Sequence, residues 1–175
     1  MDKNFLLDIL FPLLIYLTYS KTSSYQNQIS NLPHPSYEGE YRMSKITVLD
    51  NEYITVWYHP EKKIIHHKFH KYIFGEVFRE GLNTGWEVMK KYKAQKWLSD
   101  DRNNSALAQE DVAWSKTDWF PRVMQAGWKY WALVQPEKVI GQMNMDRIVK
   151  EYSEKGLTVK IFSDPDEAMK WLESQ

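Results

Sequence analysis

The feature that most restricts the fold of this chain is a change in the period of its apolar residues near Gly75. Before it, β-branched and aromatic runs at Ile46 to Leu49, Tyr53 to Tyr58 and Lys63 to Phe69 are separated by Asp50-Asn51-Glu52 and by His59-Pro60-Glu61-Lys62. β-branched and aromatic residues suit a pleated, half-buried surface, and Asn, Asp and Pro favour tight reversals. The chain is therefore expected to open as an antiparallel meander of three strands. From Glu76 onward, Phe78, Leu82, Trp86 and Met89 recur at spacings of four, four and three, which places them on one face of a helix. A chain that changes period in this way cannot be all-helical or all-β.

Alternation continues to the C-terminus. Lys96 to Ser99 reads as a short strand, followed by a polar loop from Asp100 to Ser105. Two helical pieces are expected next, about Gln109 to Lys116 and Trp119 to Ala126, with Asp118 capping the second and Pro121 in its first turn, where no backbone donor is missed. Trp128 to Val134 is apolar for most of its length, as in an interior strand covered on both faces. Met145, Ile148, Val149 and Tyr152 make a helical stripe with Asn144 as its cap and Gly156 as its end. Leu157 to Phe162 is a last strand. Asp164-Pro165 opens a last helix, with Ala168, Trp171 and Leu172 facing inward. The order βββαβαβαβα predicts an α/β fold: a mixed, mostly parallel sheet with an antiparallel N-terminal edge. Gly75, Gly81 and Gly85 weaken the first helix, and such small residues are expected to let it pack closely on the sheet.

The apolar run of residues 5–20 is broken by Asp8 and Pro12, too short for the roughly 20 residues of a membrane span, and followed by no small-residue cleavage site. Residues 1–42 are expected to be a non-native, disordered or weakly signal-like extension, and residues 43–175 a single domain beginning at Met43. Glu38-Gly39-Glu40 can be encoded by a purine-rich ribosome-binding sequence just upstream of that methionine. All eight tryptophans lie beyond it. Basic and acidic residues number 23 each in the whole chain, and removing the three basic and four acidic residues before Met43 leaves 20 against 19. A near-neutral domain lacks the positive excess that nucleic acid rewards, so no nucleic-acid partner is expected. The absence of cysteine excludes disulfides, thiolate metal sites and cysteine nucleophiles, and fits a cytoplasmic location.

The element order, with the loop after Lys96-Trp97-Leu98-Ser99 and the closing Asp164-Pro165-Asp166-Glu167-Ala168-Met169-Lys170-Trp171-Leu172 helix, resembles the STAS superfamily and more closely its SpoIIAA-like branch. The resemblance covers about residues 45–173. It implies a module that acts by binding kinases, sigma-factor regulators, nucleotides or lipids, mostly without catalysis. Anti-anti-sigma members carry a phosphorylatable serine in an Asp-Ser-Ser-Gly sequence before the second helix. Here the loop reads Asp100-Asp101-Arg102-Asn103-Asn104-Ser105, so only Ser105 stands in, and no glycine follows. Glu110 and Asp111 in the next first turn would repel a phosphate, so phosphorylation at Ser105 is not expected.

Ligands of open α/β sheets gather outside the carboxyl ends of parallel strands. Asp100, Asp101, Arg102, Asn104 and Ser105 are accordingly the candidate polar contacts, and Trp114 and Trp119 the candidate apolar wall. The plain reading of the same loop is a solvated turn with an internal Asp-Arg pair, and of the tryptophans, core packing. His59, His66, His67 and His70 read as solvent-facing residues of an edge strand, with no metal site. Asp100 and Asp101 point apart if the strand runs through them, so no paired-carboxylate mechanism is expected. The expected function is a non-catalytic regulatory or binding module for a protein partner or small ligand, without cofactor; homodimerisation is left open. The alternatives are a carrier of lipid or another apolar ligand, marked by an apolar pocket at Trp114 and Trp119, and a small enzyme, marked by a cleft joining Asp101 to a histidine. A flat exposed aromatic patch would mark a protein partner.

Overall fold

The three N-terminal runs pair as the turn chemistry requires. In the computed structural model, which describes residues 45–104, 106–135 and 142–175 (without the side chains of 142–146 and 148), β1 (Ile46–Asp50), β2 (Ile54–His59) and β3 (Ile64–Phe69) form an antiparallel meander. Asn51 closes the first turn by accepting the backbone N–H groups of Tyr53 and Ile54 on its side-chain oxygen. β4 (Lys96–Asp100), β5 (Tyr130–Val134) and β6 (Thr158–Phe162) then add in parallel. The strand order is sequential, β1-β2-β3-β4-β5-β6. The fold is thus the expected α/β mixed sheet with an antiparallel N-terminal edge. The expectations for residues 1–42, Met43, Ser105, and the side chains of Met145 and Ile148 lie outside the described residues, whereas Asn144 is not the cap of its helix, which has already begun at Gln142.

Sequential order has a geometric consequence. A sheet that grows steadily in one direction through crossovers of one hand must carry all its crossover helices on one face. Helix α1 (Gly75–Tyr92) packs on β1, β2 and β3. Rings join it to the rest of that face: Trp97, beneath α1, meets Trp119 and Trp128, Trp128 meets Trp131, and Trp131 meets Tyr152 of α4 (Gln142–Ser153). The last helix, α5 (Pro165–Glu173), takes the opposite face over β4, β5 and β6, where Ala168 and Leu172 are buried with Ile64, Leu98, Ala132, Val134 and Phe162. Asp164 caps α5, accepting the N–H groups of Asp166 and Glu167, and Pro165 occupies the first turn as expected.

Two expectations for local structure are corrected. The region after β4 is not two helices parted at Asp118. Helix α2 (Gln109–Trp114) runs through a wide π turn (Ser115–Trp119) into α3 (Phe120–Gln125), and Asp118 pairs with Arg122 instead of capping. In the wide turn the Phe120 N–H reaches Ser115 O, five residues back. A proline ring crowds the carbonyl four residues before it, and the extra residue of a π turn ahead of Pro121 relieves that clash without ending the helix. The histidines of β3 are also not on an edge strand. β3 lies between β2 and β4, so His67 points into the α1 layer and is only 3% exposed. The edges are β1 and β6.

Glycine allows the close approach of α1. A Cβ at Gly85 would collide with the Trp97 indole, reaching Cζ2 at 2.7 Å and Ile65 Cγ2 at 3.2 Å, whereas one at Gly81 would meet the end of the Ile54 side chain. Alanine favours a helix by up to about 1 kcal/mol over glycine, but overpacking a fixed ring costs about 1 to 3 kcal/mol. Gly85→Ala is expected to lower unfolding stability by about 2 kcal/mol in urea titrations, and Gly81→Ala by about 1 kcal/mol or less because Ile54 can change rotamer. A larger loss at Gly81 than at Gly85 would contradict this account of the helix–sheet contact.

Candidate functional site

The loop after β4 begins where the strand places successive side chains on opposite faces. Asp101 lies on the α1 side and Asp100 on the α5 side, so the adjacent aspartates do not form a carboxylate pair. Asp100 is buried and holds Arg102 through two hydrogen bonds of 2.8 Å, from Nε to Oδ1 and from Nη2 to Oδ2. Burial is the strongest influence on its carboxyl and opposes ionisation, but the hydrogen bonds and positive charge of Arg102 together outweigh it and keep the group below the usual carboxylate range. Arg102 is correspondingly held cationic by that carboxylate, with Asp164 and Asp166 at the start of α5 adding to the effect. This is the internal Asp-Arg pair of the plain reading, with the guanidinium fork already filled.

Asp101 takes part in a relay that spacing alone does not reveal. Trp97 is fully buried and its Nε1–H donates to His67 Nδ1 at 2.9 Å. That fixes the tautomer: Nδ1 is an acceptor, so Nε2 carries the hydrogen and donates to Asp101 Oδ1 at 3.0 Å. The carboxylate is thereby oriented from below. Both ring nitrogens of His67 are engaged, leaving no lone pair to accept a substrate proton.

The loop is tied to the segment between β3 and α1. Asn104 is buried and its Oδ1 accepts the Ile73 N–H at 3.3 Å, while Asn103 Nδ2 donates to Phe69 O at 3.2 Å. Asn104 Nδ2 is buried with no hydrogen-bond partner. Asp111, only 1% exposed, does not serve the amino end of its own helix. Its Oδ2 accepts the Gly75 N–H at 2.7 Å and its Oδ1 accepts from Arg79 Nε at 3.0 Å, so it caps α1 from across the layer. Gly75 has φ +64, a left-handed conformation that other residues rarely take, and this turns its N–H toward Asp111.

These ties present a surface that sequence reasoning missed. Tyr72 and Phe74 flank the anchored Ile73, are 53% and 61% exposed, and lie with ring centroids 5.6 Å apart. Leu107, 38% exposed, is the other large apolar residue exposed among the described residues. The alternation was legible: Tyr72-Ile73-Phe74 is a strand-like triplet with one inward residue, but nothing in it showed which side was covered. The tryptophans are placed differently. Trp119 is buried, donates from Nε1 to Leu82 O at 3.1 Å, and meets Trp97 edge-on at 5.3 Å. Trp114 is half-buried, with Phe78 at its edge and the Arg79 guanidinium 5.4 Å over its ring.

His66 points to the α5 face of the sheet, between Trp57 and His59, with ring centroids at 4.7 and 5.7 Å. Its Nε2 is shielded from solvent and unpartnered. Burial, followed by the neighbouring histidines, pushes its pKa down from 6.5 to about 3. Among the described residues no group of three His, Cys, Asp or Glu is placed to hold a metal ion, and no helix is long and apolar enough to cross a membrane.

In comparisons with known proteins, no family model, no curated protein and no solved structure matches this chain.

Two outcomes follow from these contacts. Asp111→Ala removes the carboxylate from both Gly75 and the half-buried Arg79 and is expected to cost about 2 kcal/mol of unfolding stability, with the first turn of α1 losing amide-exchange protection before the rest of the helix. Protection loss confined to α2 would contradict the cap assignment. For His66, the unfolded chain takes up a proton below its ordinary pKa of 6.5 while the folded chain does not until about pH 3. Stability should therefore fall as pH drops through that window, by up to about 1.4 kcal/mol per pH unit from this group. His66→Phe should flatten that slope in denaturation curves between those limits, and an unchanged slope would mean His66 does not set it.

Proposed function

We propose that this chain is a non-catalytic, STAS-like binding module of the cytoplasm that recognises a protein partner with the loops at the carboxyl ends of its parallel strands. The observation that carries this reading is the exposed aromatic pair Tyr72 and Phe74 on a segment whose backbone is held by Asn104 and Asp111. Exposed aromatics on a fixed backbone lose little side-chain entropy on binding and bring large apolar area, the usual composition of a binding hot spot. Asp101, in the loop that Asn104 ties to this segment, supplies the polar border, while Arg102 stays paired with Asp100. The βββαβαβαβα order supports the STAS resemblance, and a regulatory role is proposed on the same basis.

The surroundings of the other candidates favour this reading over its rivals. A carrier needs an apolar cavity beside Trp119, whose indole is packed against Trp97 and Trp128 and hydrogen-bonded to Leu82. An enzyme finds its best support in the Asp101–His67 contact, but that histidine has both nitrogens occupied below the surface. The sequential strand order also lacks the reversal at which open α/β sheets form a ligand crevice.

Native mass spectrometry of protein purified without refolding is expected to give the mass of the chain alone. A retained small molecule would sink the partner-only reading in favour of a carrier. Phe74→Ser and Tyr72→Ser, made at exposed positions, are expected to change unfolding stability by less than about 0.5 kcal/mol. A loss of several kcal/mol would show that the pair serves folding instead of binding.

A further inference from the structure

The charge around the aromatic pair specifies its partner, an inference that rests on the reading above. The hydrogen bond from Gly75 N–H to Asp111 Oδ2 draws the first turns of α1 and α2 together. Glu76 follows Gly75, Glu110 precedes Asp111, and both are exposed. First-turn carboxylates stabilise a helix by themselves, but the amino end of α1 is already served by the buried Asp111 carboxylate. The cations within reach in sequence are committed elsewhere: Arg79 to Asp111, Lys71 to Glu52 and the Tyr53 ring, Arg102 to Asp100. No ion pair or hydrogen bond joins the Glu76 or Glu110 side chain to another described residue. Arg79 is thus already paired with Asp111, and Glu76 and Glu110 stand exposed in the first turns that Asp111 joins, two residues after Phe74 and three after Leu107.

We propose that the surface of Tyr72 and Phe74, with Glu76, Leu107 and Glu110 on the segments tied to it, binds a basic protein segment that inserts an apolar side chain between its lysines or arginines. The apolar anchor covers the aromatic pair, and the flanking cations meet the glutamates. An acidic segment, a nucleic acid or an anionic membrane is repelled by the same charges.

The test uses the full chain with two short fluorescein-labelled peptides, one alternating leucine with lysine and the other leucine with glutamate, read by fluorescence anisotropy. The leucine–lysine peptide is expected to bind at least about 10-fold more tightly at about 0.05 M salt, with the difference shrinking toward about 0.5 M. Glu76→Gln with Glu110→Gln should abolish the discrimination while leaving unfolding stability within about 1 kcal/mol. Equal binding of both peptides, no binding of the basic one, or discrimination that survives the double substitution overturns the inference. Phe74→Ser with Tyr72→Ser separates it from the reading beneath it: retained, salt-sensitive binding by that variant leaves the charge standing and removes the aromatic site. Sedimentation velocity on the same samples covers self-association, since a dimer dissolved by Phe74→Ser would make a second copy the occupant and also overturn the proposal.

Discussion

The indole of Trp97 is the contact on which the other layers depend. It is fully buried, touches the space that Gly85 leaves open in α1, donates its N–H to His67, and meets Trp119 and Trp128 with ring centroids at 5.3 and 5.8 Å. Helix α1, strand β3, the π turn and the segment leading into β5 are thus positioned against one rigid ring. A smaller residue at that site would leave a void and orphan an imidazole nitrogen together, while a larger residue at position 85 would push the helix away. The size of one ring therefore fixes the spacing of the α1 layer.

The candidate surface lies at the edge of this arrangement and inherits its rigidity. Trp97 orients His67, His67 orients Asp101, and the loop that follows fastens the β3–α1 segment through Asn103 and Asn104. Asp111 closes the other side through Gly75 and Arg79. Polar residues that would suit a ligand are mostly consumed in this internal bonding. Tyr72, Phe74, Glu76 and Glu110 remain facing outward, and the proposed recognition role rests on that division. Polar groups with satisfied partners gain little by meeting a ligand, whereas exposed aromatic area gains by being covered.

Much of the architecture was legible before any coordinates. The period change at Gly75, the turns at Asn51 and Pro60, and the Asp164-Pro165 start of α5 are local signals, and each appears where its chemistry requires. The failures share one cause. The histidines of β3 looked like edge residues because a strand of mixed polarity gives no sign of which strand joins its other side. Asp118 looked like a cap because a wide turn ahead of Pro121 keeps a helix going where an ordinary turn would stop. Asp111 looked like a charge for its own helix, although its partners are 36 and 32 residues earlier in the chain.

The sequence by itself determined the elements, their order and the mixed character of the sheet, because period, turn chemistry and capping act over a few residues and need no distant partner. It also placed Asp101, Arg102 and Asn104 in a loop after a parallel strand, although Asp100, expected in the same loop, is the last residue of that strand. Only the tertiary structure decided what each of them does. The strand alternation sends the two aspartates to opposite faces, the sequential order buries His67, and the α1–α2 contact turns Asp111 inward while leaving Tyr72, Phe74, Glu76 and Glu110 outside. Hydrogen bonds and burial between residues far apart in the chain carry no local pattern. The line between a side chain spent on folding and one left for a partner is therefore drawn by packing.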